Sequence, residues 1–153
     1  MKPLKIDKKI YLFALFLWIL HLIWMILSFF ADIPIFFVLF FLIVLAESFL
    51  LRGADKTTEA VCLKRAFDCV LCVLGIVSLV IAVISGCVIL GYGNPAIIDG
   101  GYYAVNHGTI VETLNENKYY FLKLCEAILP SSVLFSIHTQ RFYRLRRLFL
   151  KEG

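Results

Sequence analysis

FDCVLCVLGIVSLVIAVISGCVILGY, residues Phe67 to Tyr92, is an apolar run in which Asp68 is the one charged residue. A helix needs roughly 20 apolar residues to cross a hydrocarbon core about 30 Å thick, since its backbone polar groups must bond within the segment. This run exceeds that length and predicts a transmembrane helix that tilts or projects beyond the bilayer. The composition agrees, because 61% of the 153 residues are hydrophobic and 17% are charged. In soluble domains about half of the residues are hydrophobic and about a quarter are charged.

Three more apolar runs predict three more spans. They cover residues 10–30, 35–51 and 121–138. The second run is short, and the fourth contains several polar residues and Pro130. The sequence therefore predicts an all-α integral membrane protein with four transmembrane helices, forming a single domain over residues 1–153. A last helix that does not span the bilayer is the alternative.

The basic residues predict the orientation of these spans. Lys and Arg total 15, and with four spans all but Lys118 and Lys123 fall on one side of the membrane. Because Lys and Arg in short loops mark the cytoplasmic side, we expect both termini in the cytoplasm and the protein in a plasma or inner membrane. The net charge of +4 is interpreted as a topology signal, and no nucleic-acid partner is predicted.

The loop of residues 93–118 then lies outside the cytoplasm. Its residues 102–105 and 109–114 are rich in β-prone types and flank a short turn at 106–108 that contains glycine, which predicts a β-hairpin. Asn115 is placed to cap the next helix. His107 in the turn is interpreted as an exposed structural residue, with contact to a partner as the alternative.

The segment of residues 139–153 combines basic and apolar side chains. On a helix this pattern is suited to an anionic lipid surface, but a basic flank that fixes topology is the favoured interpretation. The residues expected at the lipid headgroups are Arg141, Arg144, Arg146 and Arg147.

Small residues recur along the third predicted span. Such rows let two helices approach closely in lipid, where packing rather than water exclusion drives association. We predict that this face packs against another helix and joins copies of the chain into a homo-oligomer. The row consists of Cys72, Gly75, Ser78, Ala82 and Gly86.

The CVLC string of Cys69 and Cys72 resembles the quinone-linked cysteine pair of the disulfide-generating membrane oxidases, which also have four spans. The resemblance covers four residues and implies a thiol–quinone oxidoreductase. That family places the pair at the outer face and has a second pair in its last outer loop. Here the string follows Lys64 and Arg65, and residues 93–118 contain no cysteine. Helix packing is therefore the favoured interpretation, with redox chemistry as the alternative.

Ionisable and hydroxyl side chains inside the predicted spans are candidate sites, because a charge at bilayer depth is costly without water or a partner. Glu126 has Lys123 three residues earlier as a partner, and Glu47 is near enough to a span end to reach water. His21 lies midway along the first span. The candidate pore or intramembrane polar sites are His21, Glu47, Glu126, Ser132 and His138.

Catalytic motifs are missing from the sequence, which has no nucleophile elbow, phosphate loop or zinc-binding H-E-x-x-H string. We therefore predict a small non-enzymatic membrane protein without cofactor or metal. It would be an oligomeric channel, a membrane-perturbing effector or a small subunit that binds another membrane protein. Alternatives are the thiol–quinone oxidoreductase and an immunity or regulatory protein that acts through the hairpin.

Overall fold

The computed structural model describes residues 8–30, 34–50 and 66–152. The basic residues predicted between the second and third spans, and the side chain of Glu47, lie outside the described residues. In chain order the elements are α1 (Lys8–Leu27), α2 (Pro34–Leu50), α3 (Ala66–Tyr92), β1 (Asn94–Ile98), β2 (Gly101–Asn106), β3 (Thr109–Thr113) and α4 (Glu116–Glu152).

Three helices in the described part of the chain are long and apolar enough to cross a membrane. They are α1, α3 and the segment Glu116–Leu150 of α4. The predicted second span corresponds to α2, which has 17 residues and is therefore about 26 Å long, slightly short of a hydrocarbon core. The protein is a mostly helical membrane protein, and the crossing of the bilayer by α2 stays a prediction.

Helix α4 forms the centre of the described bundle, since α1, α2 and α3 each pack against it. It runs for 37 residues without a break, although Pro130 lies inside it, and is about 55 Å long. The predicted fourth span ends at His138, but the helix continues through the basic segment to Glu152. That continuation packs against α1 through stacking of Tyr11 on Phe149, with ring centroids 4.6 Å apart.

The direction of α1 is opposite to that of α4. Near the start of α1 Tyr11 lies on Phe149, and near its end the hydroxyl oxygens of Ser28 and Ser131 are 2.7 Å apart. The apolar length of α1 therefore lies beside residues 131–149 of α4, further towards the C-terminus than the predicted span of residues 121–138.

The segment between α3 and α4 folds into a three-stranded antiparallel sheet in the order β1-β2-β3. Strands β2 and β3 with the turn at residues 107–108 confirm the predicted hairpin. Strand β1 was not predicted, because Gly93 and Pro95 mark turns in most sequences. Pro95 is tolerated here because β1 is an edge strand.

Gly93 connects α3 to the sheet. Its N–H donates to the carbonyl of Ile89 at 2.8 Å, and its φ of 89° is the left-handed conformation that ends many helices. A Cβ atom at this position would lie 2.8 Å from the carbonyl oxygen of Val105. Glycine is therefore required both by the backbone angle and by the close approach of β2.

The sheet packs on the adjacent ends of α3 and α4 through a small apolar cluster. Its buried residues are Ala104, Leu114, Tyr119 and Leu122. The side chain of Asn115 accepts a hydrogen bond from the N–H of Lys118 at 2.8 Å, as predicted for the cap of α4. The sheet is thereby fixed to the bundle at the start of α4.

Candidate functional site

Two histidines on different helices form a hydrogen-bonded pair inside the bundle. His21 lies in the middle of α1 and His138 in α4, and their Nδ1 atoms are 2.7 Å apart. Neither side chain is accessible to solvent. Because a neutral imidazole has one N–H and one basic nitrogen, one ring donates its Nδ1–H to the other. The sequence identified each residue as a candidate but did not pair them.

Aromatic rings surround this pair on several sides. The ring of His21 stacks on Phe40 of α2, with centroids 4.0 Å apart and planes 16° apart. Trp24 lies 5.3 Å from His21 between centroids, and Phe135 meets it edge-on at 5.4 Å. The pair therefore joins three helices, α1, α2 and α4, in one apolar environment. Phe40 and Trp24 carry no signal in the sequence, which is rich in apolar side chains throughout.

Two other polar contacts join α1 to α4 on either side of the histidines. The indole N–H of Trp18 donates to the hydroxyl of Thr139 at 3.0 Å. The hydroxyls of Ser28 and Ser131 meet at 2.7 Å. Together with the histidine contact, these give three side-chain hydrogen bonds to α4 spread over about three turns, from Trp18 to Ser28.

The residues predicted to line a pore lie in different places. Ser132 is buried in α4, and its hydroxyl has no hydrogen-bond partner among the described residues. Ser136 donates to the carbonyl of Gly75 in α3 at 3.1 Å. Glu126 is bonded to Lys123 at 2.6 Å on a partly exposed face, as their spacing predicts. Their lining of a pore stays a prediction.

The small-residue row of α3 faces α4 of the same chain. A Cβ atom on Gly75 would lie 3.6 Å from Cγ2 of Thr139, and one on Gly86 would lie 3.6 Å from Leu129. Ser78 and Ala82 between them are buried. We expected this row to join copies of the chain, but α4 covers it, so the predicted oligomer would need another surface.

The described cysteines form no disulfide. Cys69 and Cys72 are half-buried near the start of α3, Cys87 is exposed and Cys125 is buried. Among the described residues no group of three or more His, Cys, Asp or Glu side chains is arranged to hold a metal ion. The redox interpretation of Cys69 and Cys72 stays a prediction.

An ion pair connects α3 and α4 at the end of the bundle farthest from the sheet. The guanidinium Nε of Arg146 in α4 donates to the carboxylate of Asp68 in α3 at 2.9 Å, and another of its nitrogens donates to the hydroxyl of Tyr11 in α1 at 2.9 Å. The guanidinium also lies over the ring of Phe67, 4.6 Å from its centroid. The sequence analysis placed Arg146 at the lipid headgroups, but its side chain is largely buried together with that of Asp68.

The other three arginines of this segment differ in exposure. Arg144 is exposed, and Arg141 and Arg147 are partly exposed. Arg147 lies 5.9 Å from the ring centroid of Tyr143. Contact of these three side chains with anionic lipid stays a prediction.

Strand β3 at the edge of the sheet is uncovered along its whole length. It is nevertheless held in place, because Glu112 is bonded to Lys118 at 2.7 Å and the N–H of Leu114 donates to the carbonyl of Tyr102 at 2.8 Å. Val111 is the extra residue of a bulge in the pairing of β3 with β2. His107 precedes the strand in an exposed turn.

No function can be assigned to this chain from a related protein. Comparison with protein-family models, with curated proteins and with solved structures finds no match. Two features of the described residues are then left to suggest a role. They are the buried imidazole pair between α1 and α4, and the uncovered strand β3.

Proposed function

We propose that this small membrane protein is a non-enzymatic subunit that binds another membrane protein through its sheet, on the outer side of the membrane. The observation that carries the proposal is strand β3, which is fixed to the bundle and yet uncovered. Exposed Ile110 and Val111 give this strand apolar contact area, and the rigid attachment lowers the entropy lost on binding.

The interior of the bundle supports a binding role over a channel. Ser131, Ser132, Ser136 and His138 are all buried among the helices of one chain. A pore along α4 would have to separate helices that Ser131, Ser136 and His138 connect. The channel alternative therefore requires several chains or a different arrangement of the helices, and ion flux through liposomes that contain the purified protein would test it.

Site-specific photo-cross-linking in native membranes would test the binding role. A photoreactive amino acid at Val111 is compared with one at Ile97 on the opposite edge strand, because both side chains are 59% exposed. We expect one adduct of defined mass from position 111 and none from position 97. With the photoreactive residue kept at position 111, the same adduct should be lost when Ile110 is changed to lysine, while the helical circular dichroism is retained.

The other outcomes contradict the proposal in different ways. Equal adducts at both positions would mean that the sheet has no specific binding edge. An adduct with twice the mass of the chain would indicate a homo-oligomer instead. Attachment to lipid alone would mean that β3 rests on the bilayer surface.

A further inference from the structure

We propose that the two helix ends next to the sheet, the end of α3 and the start of α4, bind the headgroup layer of the lipid bilayer. The side chains that make this contact are called the interfacial belt, and they are Leu90, Tyr92, Tyr120 and Phe121. Distances between charged pairs along the helices and the exposure of the belt carry this proposal, which does not depend on the partner bound by β3.

Two ion pairs on α4 mark the level of the membrane, because charged groups are costly inside the hydrocarbon core. Arg146 is bonded to Asp68 at the end of the bundle farthest from the sheet, and Lys123 is bonded to Glu126 near the sheet. Glu126 precedes Arg146 by 20 residues, which is about 30 Å along a helix. A hydrocarbon core has the same thickness, so the two ion pairs fit at its two boundaries.

The residues between these two levels agree with this placement. Residues 10–27 of α1 and 69–92 of α3 contain no Lys, Arg, Asp or Glu. On α4, Arg141 and Arg144 lie within five residues of Arg146, and long basic side chains extend from such depths to the membrane surface. The charges of these helices are therefore kept out of the middle of the core.

The belt lies just beyond the boundary that is nearer to the sheet. Leu90 follows Asp68 by 22 residues, and Phe121 precedes Arg146 by 25 residues. At an average helix tilt of about 20°, these spacings give heights of about 31 Å and about 35 Å above the first ion pair. A headgroup layer covers roughly 5 to 7 Å beyond a core of about 30 Å, so both side chains fall within it.

The two helices reach this layer side by side. The ammonium group of Lys118 in α4 lies over the ring of Tyr92 in α3, 4.4 Å from its centroid. One turn further into the bundle, Ile89 of α3 packs against the buried cluster that contains Leu122 of α4. The belt residues of α3 and α4 therefore lie at similar heights.

The belt continues an apolar surface of α3. Apolar side chains at helical spacing on one face of this helix are at least half exposed, and these are Val73, Ile76, Val80, Val83 and Leu90. Leu90, the last of them, is 82% exposed, and Phe121 on α4 is 52% exposed. Since lipid contacts the row along the span, the same contact extends without a break to the belt.

Tyrosine suits the outer part of the belt. Tyr92 and Tyr120 are both exposed, and a phenol has an apolar ring and a polar hydroxyl, which is why tyrosine is enriched at membrane–water interfaces. Immersion of Leu90 and Phe121 in this layer removes apolar surface from water, which is favourable. Lipid thus accounts for both kinds of side chain in the belt.

Fluorine nuclear magnetic resonance of the protein in lipid nanodiscs would measure the depth of the belt. Trifluoromethyl-phenylalanine replaces Phe121 in one sample and Val80 in a second, because these two side chains are equally accessible, at 52% and 50%. Val80 follows Asp68 by 12 residues and therefore lies near the middle of the core. Fluorine relaxation is compared for a nitroxide near the lipid headgroup, a nitroxide at the end of the acyl chain and a gadolinium chelate in water.

We expect position 121 to be relaxed several times more strongly by the headgroup nitroxide than by the chain-end nitroxide, and position 80 to show the reverse order. Stronger relaxation of position 121 by gadolinium than by either nitroxide would overturn the proposal, because the belt would then lie in water. The same order of relaxation at positions 121 and 80 would place the belt inside the hydrocarbon core instead. Little relaxation of position 121 by all three probes would mean that protein, such as a second copy of the chain, covers the belt.

Discussion

Helix α4 packs against α1 on one flank and against α3 on another, and the two flanks use different kinds of contact. On the α1 flank, side chains bond to side chains, as in the pairs Trp18–Thr139 and Ser28–Ser131. On the α3 flank, small residues bring the helices close, and Ser136 bonds to the backbone carbonyl of Gly75. Apolar lipid provides little hydrophobic drive for helix association, so hydrogen bonding and close packing are the remaining means of joining helices. The α3 flank should thus be sensitive to added volume and the α1 flank to lost polar groups.

The largest effect is expected from added volume on the α3 flank. Ala82 is 3% exposed in the small-residue row, and the Ala82→Leu variant would force α3 away from α4. Overpacking costs about 1 to 3 kcal/mol of unfolding free energy, and we expect the upper end here because three carbon atoms are added. Unfolding by SDS in mixed micelles, followed by circular dichroism, measures the loss.

The neighbouring residue provides the control for that variant. Val83 is 58% exposed on another face of α3, so the Val83→Leu variant adds apolar volume outside the contact with α4. Its effect should stay within about 0.5 kcal/mol. Equal losses in the two variants would mean that the row of small residues is not the packing surface of α3.

The ion pair that connects both flanks should give the next largest effect. The Arg146→Gln variant leaves the carboxylate of Asp68 largely buried without its cation and removes a donor to Tyr11. Loss of one partner from a buried pair costs about 3 to 5 kcal/mol. We expect about 2 kcal/mol here, at the low side of that range, since the side chains of Arg146 and Asp68 keep 13% and 9% of their surface accessible. The same SDS titration measures the change.

A nearby exposed arginine provides the control, and a double variant tests the unpaired charge. Arg144 is exposed, so the Arg144→Gln variant should have almost no effect. Changing Asp68 to Asn together with Arg146 to Gln should recover part of the loss, because no unpaired charge is left. If both arginine variants lose the same stability, the guanidinium of Arg146 does not bond within the bundle.

A smaller effect is expected from one hydrogen bond on the α1 flank. A double-mutant cycle with Ser28→Ala and Ser131→Ala isolates the contact between the two hydroxyls, which are 2.7 Å apart. Hydrogen bonds between helices in membranes average about 0.6 kcal/mol, and we expect a coupling energy of that size. The cycle is measured by the unfolding free energies of the four proteins.

Ser132 provides the matched cycle for that measurement. It is as buried as Ser131 and adjacent to it in α4, but its hydroxyl has no partner among the described residues. Coupling between Ser28→Ala and Ser132→Ala should therefore be zero within error. A coupling as large as that with Ser131 would show that the two cycles report a general loosening of the helices.

The sequence predicted the parts of this fold that depend on local patterns. Apolar run length predicted the long helices, and the turn containing Gly108 between β-prone segments predicted strands β2 and β3. The cap at Asn115 and the pair of Lys123 with Glu126 also follow from short spacings. Strand β1 was missed because a local reading of Gly93 and Pro95 gives a turn, whereas pairing with β2 makes the segment a strand.

Contacts between distant residues could not be predicted in the same way. His21 and His138 are 117 positions apart in the sequence, and their contact depends on the register of α1 against α4. The same holds for Asp68 and Arg146, since the local pattern of residues 139–153 assigned Arg146 to the lipid headgroups and gave no sign of its pairing with α3. Helix register is set by packing along the whole interface, and no single spacing in the sequence encodes it.

The smallest effect is expected from one methyl group on the α3 flank. In the Gly75→Ala variant the new Cβ would lie 3.6 Å from Cγ2 of Thr139, which is ordinary contact, and alanine favours helix more than glycine does. We expect a change in unfolding free energy within about 0.5 kcal/mol, in the same SDS titration. The Gly75→Leu variant should instead lose stability as Ala82→Leu does, because α4 has room for one methyl group and not for four carbons. If Gly75→Ala were as damaging as Ala82→Leu, direct approach of the two backbones, rather than total side-chain volume, would hold α3 against α4.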